Sequence, residues 1–314
     1  MKLAVTFPGQ GSQSVGMGKE LIEAFPVAGQ VYEEVDDALD QKLSDIILNG
    51  PEDELTLTTN AQPALMAMSI AALRALEAQG VSVAENASYM AGHSLGEYSA
   101  LCAAGVFSLA DTARLLRIRG NAMQDAVPVG EGAMAAIIGL EHDKVMQVCE
   151  NASSTGVCSI ANDNGGGQLV ISGSKAAIEQ AIVEATDAGS KRAILLPVSA
   201  PFHSPLMAPA AEKMAQALSE VSMQTPIVPI VANVTASPIT SPEEIRQRLV
   251  EQVTGQVRWR ESIEWFAGDG VTTLIELGAG KVLSGLARRI DRSLSSLNVG
   301  SPADLEKVAA ELTI

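Results

Sequence analysis

Ala87-Ser88-Tyr89-Met90-Ala91 is followed by Gly92-His93-Ser94-Leu95-Gly96 and then by Glu97-Tyr98-Ser99-Ala100-Leu101-Cys102 running on to Val106. The order reads as a short strand, a tight turn and a helix of small residues. The turn carries the spacing Gly-x-Ser-x-Gly. A serine in such a turn is projected on strained backbone, and flanking glycines leave room for the crowded chain. The helix after it offers unpaired N–H groups and a positive dipole end where an oxyanion would develop. Ser94 is therefore a candidate nucleophile, and the chain around it reads as α/β.

Working outward, Leu3-Ala4-Val5-Thr6-Phe7 is a short apolar strand ended by Pro8-Gly9-Gln10-Gly11-Ser12-Gln13, a glycine-rich turn. Lys19 to Leu39 is helical, with Pro26 forcing a break or a first turn. Pro63 to Gln79 is a helix stopped at Gly80, and Asp111 to Gln124 is another, capped by Ser108 or Asp111. Past Pro128-Val129-Gly130-Glu131-Gly132 the rhythm changes. Strand Ala133–Ile138, helix Glu141–Ala152, strands Val157–Ala161 and Gln168–Ser172, helix Lys175–Ala188 and strand Ala193–Val198 spell βαββαβ, the ferredoxin-like split pattern. After Pro201 the α/β character returns: helix Ala208–Val221, strand Ile227–Asn233, helices Pro242–Gln252 and Trp259–Gly268, strand Thr272–Leu277 and helix Val282–Ile290. The expected architecture is a large α/β-hydrolase-like domain with a short parallel sheet, residues 1–127 and 199–314, with a ferredoxin-like subdomain inserted at 128–198.

The 314 residues are 47% hydrophobic, enough for a sizeable core and too apolar for disorder. Lys and Arg number 21 against 37 Asp and Glu, a formal charge of −16, which argues against nucleic acid or an anionic membrane surface as a general partner. The three cysteines, Cys102, Cys149 and Cys158, make no CxxC pair; they speak against a disulfide scaffold or a Cys-rich metal site and for a reducing cytoplasm. No apolar run approaches the roughly 20 residues of a membrane helix.

A serine nucleophile needs a base. The histidines are His93, His142 and His203. A side chain adjacent to Ser94 on a tight turn points away from it, and His142 opens a charged helix. His203, in the constrained loop Pro201-Phe202-His203-Ser204-Pro205, is left by elimination. No acidic residue is marked by its context as the orienting member of a triad; Glu97 and Asp125 are open, and so is a backbone carbonyl. Arg117 and Arg119 lie two apart on a helix, so one can be solvated while the other turns inward, where it would need a carboxylate or phosphate. Asn162-Asp163-Asn164-Gly165-Gly166-Gly167 lacks the phosphate-loop pattern and reads as a hairpin connection. Gly278-Ala279-Gly280-Lys281 is a weak phosphate signal, and the basic pairs Lys191-Arg192 and Arg288-Arg289 read first as solvated surface, with docking of an acidic partner as the second reading.

Phe7-Pro8-Gly9-Gln10-Gly11-Ser12-Gln13, the Gly92 to Ser99 stretch, Arg119-Gly120-Asn121-Ala122-Met123-Gln124 and Pro201-Phe202-His203 together resemble the malonyl-CoA:acyl-carrier-protein transacylases of bacterial fatty acid synthesis. Gly132 to Leu140 and Glu276 to Leu283 extend the resemblance over essentially the whole chain. It implies that Ser94 is the nucleophile, His203 the base, and the amides of Gln10 and Leu95 the oxyanion hole. It implies that Arg119 pairs with the free carboxylate of a malonyl group, and that Met123, Asn162 and Phe202 help form the substrate site. A main-chain carbonyl would orient the histidine, at a place matching Arg258; family members usually carry Asn-Pro where this chain has Gly255-Gln256. Phe202 matches the malonyl-selective version, in which a ring crowds an α-methyl branch. The implied substrates are malonyl-CoA and acyl carrier protein, with ping-pong kinetics and no metal or redox cofactor. The rival readings are a serine esterase or thioesterase, and an acyl-carrier scaffolding module.

Overall fold

The computed structural model describes residues 2–198 and 200–312. In chain order its strands are β1 Leu3–Phe7, β2 Ala87–Gly92, β3 Gly132–Ile138, β4 Cys158–Asp163, β5 Gln168–Ser174, β6 Arg192–Leu195, β7 Ile230–Ala232, β8 Ser237–Ile239, β9 Thr273–Leu277 and β10 Ser295–Val299. They form a larger sheet in the order β10-β9-β1-β2-β7-β8 and a smaller one in the order β4-β5-β3-β6. In the larger sheet β10, β9, β1, β2 and β7 pair parallel, and β8 turns back antiparallel on β7. The sheet is thus mixed, where the sequence suggested a parallel one.

A parallel sheet has helices on both faces, and its strands alternate between two cores. Leu3, Val5 and Phe7 of β1 join one core with the almost wholly buried helix Thr58–Ala78, while Ala4 joins Trp259, Phe266 and Leu283 on the other side. β1 lies between β2 and β9, so the chain winds outward from it in both directions. Such a switch point leaves a crevice at the carboxyl ends of the strands. Phe7 pairs with Gly92 there, which brings the turns after β1 and β2 side by side.

The smaller sheet is antiparallel throughout, and its elements follow one another as β, α, β, β, α, β. Ala135, Ile137 and Ile171 pack under helices His142–Ala152 and Lys175–Asp187, whereas Met134 and Val170 face the large core. A register shift between Ile160 and Asn162 marks an irregularity in β4. The chain past it is tied to the large body by backbone: Val257 N–H donates to Ala161 O at 2.8 Å, and Asp163 N–H to Val257 O at 3.0 Å. The half-exposed Arg260 pairs with the buried Asp163 at 2.8 Å.

Several extents differ from the sequence reading. The helix placed at Pro63 begins at Thr58, with the proline inside it. The strand expected from Ile227 begins at Ile230, because Pro229 has no N–H for a ladder. The strand expected to reach Val198 ends at Leu195, shortly before Pro197. Helices Leu43–Asn49 and Glu52–Thr56 and strands β8 and β10 are too short to carry a periodic signal, and helix Pro302–Leu312, with Leu305, Val308, Ala309 and Leu312 on one face, lies beyond the last element read from the sequence. Among the described residues no helix is long and apolar enough to cross a membrane.

Candidate active site

Ser94 sits at φ 53°, in the left-handed region. The crossing of strand and helix is tight enough that a Cβ at Gly92 would overlap the Gly96 carbonyl, and a Cβ at Gly96 would overlap Phe7 O. Those contacts are the physical reason for glycine on both sides of the serine. The turn is braced from outside: Ser94 N–H donates to Asn233 Oδ1 at 2.8 Å, and Asn233 Nδ2 donates to Gly92 O at 2.7 Å.

His203 arrives from the loop that leaves the small sheet, also with positive φ, 55°, and is almost fully buried. Its Nε2 lies 2.7 Å from Ser94 Oγ, and its Nδ1 lies 2.8 Å from the main-chain carbonyl of Gln252. A carbonyl can only accept, so Nδ1 carries the proton and Nε2 is free to accept from the serine hydroxyl. Burial, with Arg119 second, pushes the His203 pKa down to about 3, so the ring is neutral at physiological pH.

Arg119 is the inward member of its pair, and Arg117 is half-buried on Asn60 and Gln41. The Arg119 guanidinium donates to Gln62 Oε1 at 2.7 Å, Gln252 Oε1 at 2.8 Å and Ser94 Oγ at 3.2 Å. No carboxylate forms an ion pair with it among the described residues, and its Nε is buried without a partner. A buried cation that hydrogen-bonds only neutral oxygens, over the Tyr98 ring at 5.7 Å and beside a reactive hydroxyl, is a seat for an incoming anion. Arg119 can stand here because Gly120 lets its helix, Leu109–Asp125, approach helix Thr58–Ala78: a Cβ at Gly120 would come within 2.8 Å of Thr59 Cα.

A cavity of about 320 Å3 opens onto these atoms. Gln10, Leu95, Met123, Asn162 and Phe202 all line it along with Ser94, His203 and Arg119. Gln10 follows β1 and Leu95 precedes helix Gly96–Ala103; neither N–H donates to another described residue. Beside Ser94, His93 turns from the serine, as expected, and its Nε2 meets Asn164 Oδ1 at 2.9 Å while its ring lies against Trp259.

The model of the acyl transferase domain family matches residues 5–303. A malonyl CoA-acyl carrier protein transacylase of Bacillus subtilis (strain 168) is 47% identical over 306 residues, covering 97% of this chain and 95% of the relative. The chain belongs to the malonyl CoA-acyl carrier protein transacylase family. A solved acyl-carrier-protein-S-malonyltransferase from Bartonella henselae is 60% identical and covers all of both chains with a TM-score of 0.98. A malonyl-transacylase solved in complex with a type II PKS acyl-carrier protein is 43% identical, with a TM-score of 0.96 over 99% of this chain and 100% of that one.

One position implied by the family resemblance is corrected. The Arg258 carbonyl does not meet His203. It opens helix Trp259–Gly268 and accepts from Ser262 N–H and Ser262 Oγ, each at 3.0 Å. The orienting carbonyl is that of Gln252, in the last turn of helix Pro242–Thr254, where the final carbonyls lack intrahelical partners. Sequence reasoning missed Gln62, Asn233 and Gln252. Asn233 acts through its side chain just past a short strand and Gln252 through both its carbonyl and its carboxamide, and neither carries a pattern in the sequence that marks it. Among the described residues no His, Cys, Asp or Glu side chains gather as a metal site. Arg288, Arg289 and Arg292 line a separate cleft with Gly166 and Gly285.

Proposed function

We propose that this chain moves a malonyl group from coenzyme A to the phosphopantetheine thiol of an acyl carrier protein through a malonyl-serine intermediate. The observation that carries the reading is Arg119, buried within hydrogen-bonding distance of the Ser94 hydroxyl and in direct ion pair with no carboxylate among the described residues. A planar guanidinium fork fits the free carboxylate of malonate and places the thioester carbon over Ser94. His203 takes the proton as Ser94 Oγ attacks. The N–H groups of Gln10 and Leu95 hold the developing oxyanion. Collapse expels the coenzyme A thiolate, which leaves with the proton from His203. The carrier thiol then attacks the malonyl ester, returns its own proton through His203 and frees Ser94, giving ping-pong kinetics. In place of a carboxylate as third member, the Gln252 carbonyl and the negative end of its helix support the transient imidazolium.

Phe202 lines the cavity and disfavours an α-methyl branch, a discrimination of about 1–3 kcal/mol. The chemistry asks for no metal or redox cofactor, and we place it in the cytoplasm. The exposed Arg288 and Arg289 are our candidates for docking the carrier. We read the mixed sheet with residues 1–127 and 199–314 as the α/β-hydrolase-like body, and residues 128–198, with the strand order β4-β5-β3-β6, as a ferredoxin-like insert.

Intact-mass spectrometry tests the proposal. Mixing with malonyl-CoA should add one malonyl group, lost in Ser94→Ala and discharged on adding holo acyl carrier protein. Free malonate in place of malonyl-carrier would point to an esterase, and no adduct at all to a scaffold.

A further inference from the structure

Glu97 takes no part in the steps above, yet it is 1% exposed and lies directly behind the reacting pair. Its Oε2 accepts from Gln252 Nε2 at 2.8 Å and from the Asn233 N–H at 3.3 Å. Those two residues hold everything that must be aligned. Gln252 receives the His203 Nδ1–H on its main-chain carbonyl and Arg119 Nη2 on its side-chain Oε1, each at 2.8 Å. The same side chain donates from Nε2 to the Ser94 carbonyl at 2.9 Å. Asn233 braces the serine turn through the bonds to Ser94 N–H and Gly92 O.

A glutamine carboxamide has two ends of nearly equal shape. What fixes the end offered to Arg119 is the partner of the other end. An acceptor beside Nε2 keeps Oε1 toward the guanidinium; the flipped amide would set an NH2 group against a cation. We propose that Glu97 is a positioning residue for the acyl transfer, clamping Gln252 and Asn233 so that the base, the serine turn and the Arg119 fork are aligned as one unit. The proposal rests on the acyl-transfer reading of the site and adds to it a residue that touches no substrate.

The clamp also has a charge. Burial pushes the Glu97 carboxyl up to about 7, while Gln252, Asn233 and Arg119 pull the other way. The titratable and charged groups facing it are Arg119 from helix Leu109–Asp125 and Tyr98, its neighbour on helix Gly96–Ala103; His203 is reached through Gln252. His203 is neutral far below that pH, so a rise in acylation centred near neutrality belongs to Glu97. Its sign is upward with pH: the ionised carboxyl accepts more strongly and favours the imidazolium formed in the transition state.

Single-turnover acylation by malonyl-CoA, measured by rapid quench and intact mass on the full chain across about three pH units centred on neutrality, tests this. Glu97→Ala is expected to slow acylation per acylatable site by roughly ten- to a hundredfold. Glu97→Gln, which keeps an acceptor of the same shape, should restore most of the rate and lose the rise through neutrality. A folded Glu97→Ala chain acylating at the wild-type rate overturns the proposal. If Glu97→Ala does not fold, Glu97→Gln decides alone: the same rise in that variant, or a flat wild-type profile, also overturns it. A wild-type chain that takes up no malonyl group removes the acyl-transfer reading instead. In that case the low-field proton resonance of His203 Nδ1–H still reports the clamp, moving in Glu97→Ala and returning in Glu97→Gln if the clamp exists, and unmoved in both if it does not.

Discussion

In the larger sheet β1 and β9 are buried at every residue, whereas in the smaller sheet most of β6 is exposed. The cavity draws on both sheets unequally. The turns past β1 and β2 bring Gln10, Ser94 and Leu95, the atoms whose spacing governs bond making. The small sheet brings Met134, Asn162 and Val170, which shape the wall, and its outgoing chain delivers Phe202 and His203. Strain is affordable in the doubly covered sheet, where packing on both faces over-determines the turn at Ser94. The other sheet supplies surfaces and polar contacts, and its own core under two helices is separate from that of the body.

The sharpest way to break this division is at Arg119, which belongs to the large body and gives the cavity its charge. Arg119→Ala should lower kcat/KM for malonyl-CoA by about two to three orders of magnitude, as for a buried charge pair, while acetyl-CoA is used as well or better. Equal loss on both thioesters would remove its role as the carboxylate partner. Next is stability. Gly92→Ala forces a Cβ into the Gly96 carbonyl and should cost about 3 kcal/mol or more in urea unfolding, whereas Ile194→Ala on the exposed β6 should stay within about 0.5 kcal/mol. Comparable losses would mean that the two sheets are equally constrained. The smallest effect is expected at the small sheet's polar contact. Asn164→Ala removes the partner of His93 and should raise KM for malonyl-CoA by about fivefold, near 1 kcal/mol, with kcat nearly unchanged. A fall in kcat instead would place Asn164 among the groups that act on the transition state.

Ser94 and its glycines were legible because a strained turn needs particular residues at fixed spacing. Arg119 was half legible: the helix pattern showed that one of two arginines could turn inward, and the family resemblance chose which. Gln252 was not legible as the partner of His203, because a main-chain carbonyl has no side-chain signature, and the resemblance pointed to Arg258, whose carbonyl is spent inside its own helix. β10 escaped for another reason. Ser295-Ser296-Leu297-Asn298-Val299 is an edge strand, half polar, and its pairing with β9 is a property of the assembled sheet rather than of its own composition.

Gln252 also separates two duties that proteins commonly load on one side chain. Its peptide group steadies the histidine, and its carboxamide steadies the arginine. Any of the other amino acids compatible with that helix end would bring the same peptide oxygen. A change of side chain at this position keeps the histidine's acceptor but frees both the arginine and, through the lost bond to the Ser94 carbonyl, the nucleophile's turn, so anion recognition and serine placement are bound to change together.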